Sequence, residues 1–250
     1  KSLKEKSLLF DKKFLEIHKR AYIQGSFQTE KYFANNRAIL LKQFVVKKEL
    51  SNSTINYLKE ITIQKNACSV HIRKRDFSTD EKVKGARATY DLRYYNEAIK
   101  LILDKFSESH FFIFSDDISW TKKNLKLSNS TYIEHTVIPH EDLHLISLCK
   151  HNITANCSFS WWGAWLNQHQ NKTVITPKKW FMNGKNEVVC AHWNWLHPVD
   201  DSLVLVATNR NSGVGLMKST IFLATSLFVL GSLNYLIIDK ELILRNGQTV

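Results

Sequence analysis

Hydrophobic and polar positions change rhythm about a quarter of the way along the chain. In the first sixty or so residues, Ala38, Leu40, Leu41, Phe44 and Val45 recur among lysines at helical spacing, which predicts a mostly helical segment. From Ala67 onward, short apolar runs alternate with longer amphipathic stretches. Cys68, Val70 and Ile72 mark one strand, and 110–114, 153–155 and 173–176 mark three more. Helices are predicted over 94–106, 142–150 and 161–168, the first with Tyr94, Tyr95, Ala98, Ile99 and Ile102 on its apolar side. Such alternation predicts an α/β fold with a parallel sheet and right-handed crossovers.

The tail breaks the pattern. Residues 219–238 carry no charge and are numerous enough to span a bilayer. Met217-Lys218 before the run resembles a bacterial signal-anchor, so a membrane anchor is expected there. A buried terminal helix is the alternative, because Thr220, Ser226, Ser232 and Asn234 dilute the apolarity. The chain starts at Lys1 with no signal peptide, which reads as a piece whose beginning lies upstream.

Composition adds a formal net charge of +12, which fits nucleic acid, an anionic membrane surface, a phosphorylated substrate or simply solvated lysines in a Lys- and Asn-rich chain, and so decides little. No Lys/Arg stripe interleaved with aromatics follows a nucleic-acid module, so no nucleic-acid partner is expected. Cys68, Cys149, Cys157 and Cys190 are widely spaced with no C-x-x-C pattern, and most lie in or beside apolar runs. They read as small hydrophobes in a reducing compartment. The histidines show no metal-ligand spacing, so no metal is expected.

Three strand-like runs end in polar clusters. The first runs into His71-Ile72-Arg73-Lys74-Arg75-Asp76, the second into Ser115-Asp116-Asp117, the third into Asn156-Cys157-Ser158-Phe159-Ser160. In open α/β sheets ligands sit outside the carboxyl ends of the strands, so these clusters point to one shared site. Its cations point to an anionic, nucleotide-type ligand. A guanidinium offers a rigid fork for phosphate oxygens, so Arg73 is the expected diphosphate clamp, with His71 on the same strand face and Lys74 nearby. Asp116 or Asp117 suits a helix N-cap, a hydrogen bond to base or ribose, or the orientation of Arg73. Ser160 reads as the N-cap of a helix whose amides meet a phosphate. Trp161 reads equally as pocket wall and as core, whereas Trp162 and Trp165 read as core.

These residues resemble the motifs of bacterial α-1,2-fucosyltransferases of glycosyltransferase family 11. The resemblance rests on His71–Asp76 as an H-x-R-R-x-D-type motif, the F-S-D-D run at 114–117 and the N-x-S-F-S-W-W-G-A-W run at 156–165. The segment Tyr22-Ile23-Gln24-Gly25-Ser26-Phe27-Gln28-Thr29-Glu30-Lys31-Tyr32-Phe33 and the ending Pro177-Lys178-Lys179-Trp180-Phe181 match in the same order. Lys74 and Arg75 depart from the family's second arginine and glycine, and the family's glycine-rich first segment is missing.

The resemblance implies a GT-B-like fold with a Rossmann-type parallel sheet as donor-binding domain and a truncated, mainly helical N-terminal part. Residues 1–62 would be the acceptor-side remnant, 63–200 the GDP-fucose-binding domain and 201–250 a tail. It implies inverting transfer of L-fucose from GDP-fucose to a galactose-containing glycan without metal or other cofactor, in the bacterial cytoplasm or at the inner face of the inner membrane. Arg73, His71 and Asp76 are its catalytic candidates. Lys74, Asp116, Asp117, Asp142, Asn156, Ser158, Ser160 and Trp161 are its donor-pocket candidates. The general base is open between Asp76, Asp91 and a residue upstream. The competing reading is a non-catalytic GDP-sugar-binding remnant on a membrane anchor.

Overall fold

The computed structural model describes residues 2–73, 90–134, 139–181, 187–196 and 235–238. Lys74, Asp76 and most of the 219–238 run lie outside them. The described residues fall into two units, one holding 2–43, 187–190 and 235–238, the other 44–73, 90–134, 139–181 and 191–196.

The larger unit is built on six parallel strands: β3 (Asn66–Ile72), β4 (Ser109–Ser115), β5 (Ser130–Tyr132), β6 (His151–Ile153), β7 (Val174–Pro177) and β8 (Asn194–Leu196). Their order across the sheet is β5-β4-β3-β6-β7-β8, with every neighbouring pair parallel. Counted from β3, that is 3-2-1-4-5-6, the order of a Rossmann-type sheet with its switch point between β3 and β6. The α/β, GT-B-like expectation holds for this unit. Every residue of β3 is buried, as befits a central strand covered on both faces.

Helix α3 (Leu92–Lys105) covers one face. It starts where the Asp91 carboxylate accepts the Arg93 N–H at 3.0 Å. Tyr94, Tyr95, Ala98, Ile99 and Ile102 then pack on Cys68, Val70, Ile72, Phe111 and Ile113. On the other face α2 (Asn52–Ile63) and α5 (Pro139–Leu148) meet Ala67, Phe112 and Phe114 through Ile61, Leu145 and Ile146. A buried carboxylate ties these two helices. Glu141, in the first turn of α5, accepts from the Ser51 amide at 3.0 Å, the Ser51 hydroxyl at 2.7 Å and the Thr54 hydroxyl at 2.6 Å. The Thr54 hydroxyl bond leads in holding its pKa down to about 2, against a smaller upward push from burial.

Helix α6 (Ser158–Leu166) follows β6 and packs on α5. Gly163 is required at that crossing, because a Cβ there would overlap Cγ2 of Ile146. Behind the switch point, the Tyr94 hydroxyl reaches from α3 to the Thr154 carbonyl at 2.8 Å and the Ile175 carbonyl at 3.3 Å. The short helix α4 (Ile118–Asn124), which starts at the N-cap expected of Asp116 or Asp117, and strand β5, absent from the sequence expectation, complete the β4 side.

The first sixty residues are not mostly helical. In the smaller unit β1 (Ser2–Lys4) pairs parallel to β2 (Ala21–Gln24), and β9 (Tyr235–Ile238) pairs antiparallel to β2. Only α1 (Arg37–Gln43) and α2 are α-helices in this stretch. The physical reason is local. Asp11 and Thr29 side chains accept the amides of Lys13 and Lys31, which fixes single 3₁₀ turns instead of longer helices. Phe14, Phe27 and Tyr32 pack edge-on around them and Phe10 tilts against Tyr32, with ring centroids 5.0–6.2 Å apart. The last four residues of the uncharged run are thus strand rather than helix. No helix among the described residues is long and apolar enough to cross a membrane.

Candidate active site

Parallel pairing sets His151 of β6 beside Cys68 and Ile153 beside Val70, so the chain leaving β6 runs past the carboxyl end of β3. That end carries His71 and Arg73, two residues apart and on one strand face. The segment 154–157 brings Cys157 to His71, with Sγ 3.5 Å from Nδ1. Cys157 also lies 3.2 Å from the Ser160 hydroxyl. Phe159 packs its ring 5.4 Å from the His71 imidazole, and His71 is 8% exposed.

Helix α6 opens at this cluster. Its N-cap is Cys157 in extended backbone, and its first helical bond runs from the Trp161 amide to the Cys157 carbonyl at 3.2 Å. The first-turn amides 158–160 therefore belong to a helix N-terminus, a ready donor set for an anion. Ser160 is not the N-cap expected. Its hydroxyl accepts the Ala155 amide at 3.1 Å instead and so ties the β6–α6 bend together.

Two titratable groups register the local field. Burial would push the Cys157 thiol up, but His71, Arg73 and Ser160 overcome it and bring the pKa down to about 6. Asp142, in the first turn of α5, moves the other way, to about 7. Burial dominates there, His71 opposes it and Glu141 adds to it. Asp142 is 8% exposed and its Oδ1 is buried without a hydrogen-bond partner among the described residues. The site thus combines Arg73 and His71, a helix N-terminus and an acidic group stripped of water. That combination is suited in charge to a phosphorylated ligand and leaves a polar side chain free of charge pairing with it.

A sequence model of glycosyl transferase family 11 matches residues 4–197. The chain belongs to glycosyl transferase family 11. Among curated relatives, the O-antigen biosynthesis glycosyltransferase WbnK of Escherichia coli is 32% identical over 76% of this chain and 68% of its own length. An alpha-1,2-colitosyltransferase of Escherichia coli is 35% identical over 63% of this chain and 55% of its own length. A galactoside 2-alpha-L-fucosyltransferase, SEC1 of Bos taurus, is 22% identical over 54% of this chain and 39% of its own length. The chain therefore spans little more than half of the colitosyltransferase and less of the bovine protein.

In this family 11 chain the structure gathers His71, Arg73, Asp142, Ser160 and the start of α6 at one place. Asp116 is exposed just past β4, the strand beside β3. Asp117 caps α4, its carboxylate accepting the Trp120 amide at 2.8 Å. Asn156 is buried, and its amide donates to the Trp180 carbonyl at 2.9 Å. Ser158 is half-buried as the first residue of α6, and Trp161 sits buried among Trp162, Trp165 and Trp193. Asp91, one of the base candidates, is spent on capping α3 and on an ion pair with Arg93 at 2.6 Å. Cys157 is the residue the sequence reading missed. It is as buried as a small hydrophobe should be, yet its thiol faces His71 and Arg73. Its place at a helix start immediately after a strand was the available signal.

Proposed function

We propose that the protein transfers L-fucose from GDP-fucose to a galactoside hydroxyl, forming an α-1,2 linkage with inversion, in bacterial surface-glycan synthesis on the cytoplasmic side of the inner membrane. One observation carries the reading: His71 and Arg73 stand at the switch point of the Rossmann-type sheet, beside the N-terminus of α6. The relatives, an O-antigen biosynthesis glycosyltransferase, an alpha-1,2-colitosyltransferase and a galactoside 2-alpha-L-fucosyltransferase, support the same chemistry.

Arg73 and the α6 amides hold the diphosphate, and they stabilise the charge that grows on it as the bond to the sugar anomeric carbon breaks. Lys74 adds charge beside them. Asp116, Asp117, Asp142, Asn156 and Ser158 shape the remainder of the donor pocket. The acceptor hydroxyl attacks the face opposite the departing GDP and gives its proton to a base, for which Asp76 is the candidate. Because cations of the protein meet the diphosphate, the scheme assigns no step to a metal. A non-catalytic donor-binding chain is the competing reading.

Calorimetric titration of GDP and GDP-fucose into the full chain tests this, with Arg73→Ala alongside. Losing a charge-assisted bidentate contact should weaken GDP roughly 10- to 150-fold. Unchanged GDP affinity in R73A would sink the assignment of the clamp. GDP binding with no transfer to any galactoside would favour the non-catalytic reading.

A further inference from the structure

The strand pair beside the switch point carries a further cation to the same end of the sheet. β6 and β7 run parallel, with Asn152 beside Val174 and Ile153 beside Ile175. The match continues past β6. The Thr154 amide donates to the Ile175 carbonyl at 2.9 Å, and the Thr154 hydroxyl donates to that of Thr176 at 2.9 Å. Continued at this register, Lys179 comes level with Cys157, the N-cap of α6. The bond from the Asn156 amide to the Trp180 carbonyl, at 2.9 Å, ties the two chain segments at that level. Neighbouring strands lie about 4.8 Å apart, which a lysine side chain on its four-carbon stem can bridge.

Lys179 is exposed, yet one buried hydroxyl holds its backbone at both polar groups. The Tyr90 O–H donates to the Lys179 carbonyl at 2.8 Å, and its oxygen accepts the Lys179 amide at 2.9 Å. Burial pushes the Tyr90 phenol up, against a smaller downward pull from the backbone of Lys179, so the proton stays in place. The Tyr90 ring is fixed in turn by Tyr94, edge-on at 5.2 Å, whose own hydroxyl ties the chain after β6 to β7. The Lys179 ammonium makes no ion pair among the described residues. Lys172, by contrast, spends its ammonium on the Ala164 and Asn167 carbonyls. A fixed backbone narrows where a flexible side chain carries its charge, which lowers the entropy cost of holding an anion. A diphosphate in sugar linkage carries about two negative charges, and Arg73 balances one of them.

We propose that Lys179 is a further contact of the diphosphate, and that Tyr90 is its positioning residue. The inference rests on the nucleoside-diphosphate donor of the proposed reaction.

The test is calorimetric titration of GDP into the full chain at low and high salt. Lys100→Ala, on the exposed side of α3, is the charge control. Lys179 is exposed, so its variants keep the fold. Lys179→Ala and Lys179→Gln should weaken GDP about three- to tenfold at low salt and by less at high salt. Lys179→Arg should restore most of that loss, and Lys100→Ala should bind GDP as the wild type does. Tyr90→Phe keeps the ring and removes both bonds to Lys179. It should weaken GDP about two- to fivefold alone and add nothing in a K179A background. Wild-type GDP affinity in K179A and K179Q would overturn the inference, and a loss in R73A beside it would leave the donor site standing. An equal loss in K100A, or a loss in K179A that salt does not reduce, would overturn it as well. Additive losses in the Y90F/K179A pair would remove Tyr90 from its role. A wild-type chain that ignores GDP overturns the contact together with the donor reading.

Discussion

Asp142 carries its charge at a cost. Its pKa is raised from an ordinary carboxyl value to about 7, chiefly by burial, and one oxygen has no partner among the described residues. A raised folded-state pKa contributes stability that is complete below the unfolded value and lost as pH rises through about 7. Asp142→Asn removes the ionisation and keeps the shape. We expect D142N to unfold at higher temperature than wild type at pH 8, by about 1–3 kcal/mol of stability, and to match it near pH 4. Paired melting curves across that range check it, and a constant offset would reject the ionisation account. Cys157 has the opposite slope. Its depressed thiol contributes stability above the unfolded value and loses it as pH falls through about 6, so the difference between D142N and wild type isolates Asp142. D142N should also bind GDP more weakly, the expected trade between a strained site and stability. In the sequence, Asp142 reads as a first-turn carboxylate and Cys157 as a small apolar residue. Both descriptions hold locally. What decides their chemistry is the loss of water and the arrival of His71, and neither is encoded near them in the chain.

At the level of elements, legibility followed burial and length. β3, β4 and β6 announce themselves because apolar runs end in polar clusters, and α3 because its buried residues recur at helical spacing. β5 is three half-buried residues, Ser130, Thr131 and Tyr132, and has no such signature. β1 and β2 have three and four residues, and part of the pairing of β2 comes from Tyr235–Ile238, more than two hundred residues away. Non-local partners of that kind leave no trace in a window of sequence. The crossing of α5 and α6 shows how one residue decides an element's position. Gly163→Ala puts a methyl into Ile146 and should cost about 1–3 kcal/mol, measured by denaturant unfolding. Adding Ile146→Ala should recover part of that cost, because it removes the atoms in conflict. Additive losses would show that the glycine matters for another reason.

For the molecule as a whole, the order 3-2-1-4-5-6 does what the motifs alone could not. The three polar clusters come without distances in the sequence, and the topology sets them at the ends of three adjacent strands, β4, β3 and β6. β3 and β6 lie side by side although β4, β5 and their helices intervene in the chain, so His71 meets Cys157 across 86 residues. Ordered motifs named the family correctly, since their spacing reflects this same arrangement. Lys74 and Asp76 remain proposals from those motifs.

The indole cluster on α6 makes the chain its own optical probe. Trp161, Trp162, Trp165 and Trp193, four of the seven tryptophans, lie with ring centroids 5.1–6.3 Å apart, and Phe44 stacks on Trp162 at 5.4 Å. Transition dipoles this close should couple and give an intense near-ultraviolet dichroic band that vanishes when the packing is lost. The same helix begins at the proposed phosphate cradle, so GDP should perturb tryptophan emission without any label. A titration in which GDP binds by calorimetry yet leaves both spectra untouched would show that α6 does not sense the ligand.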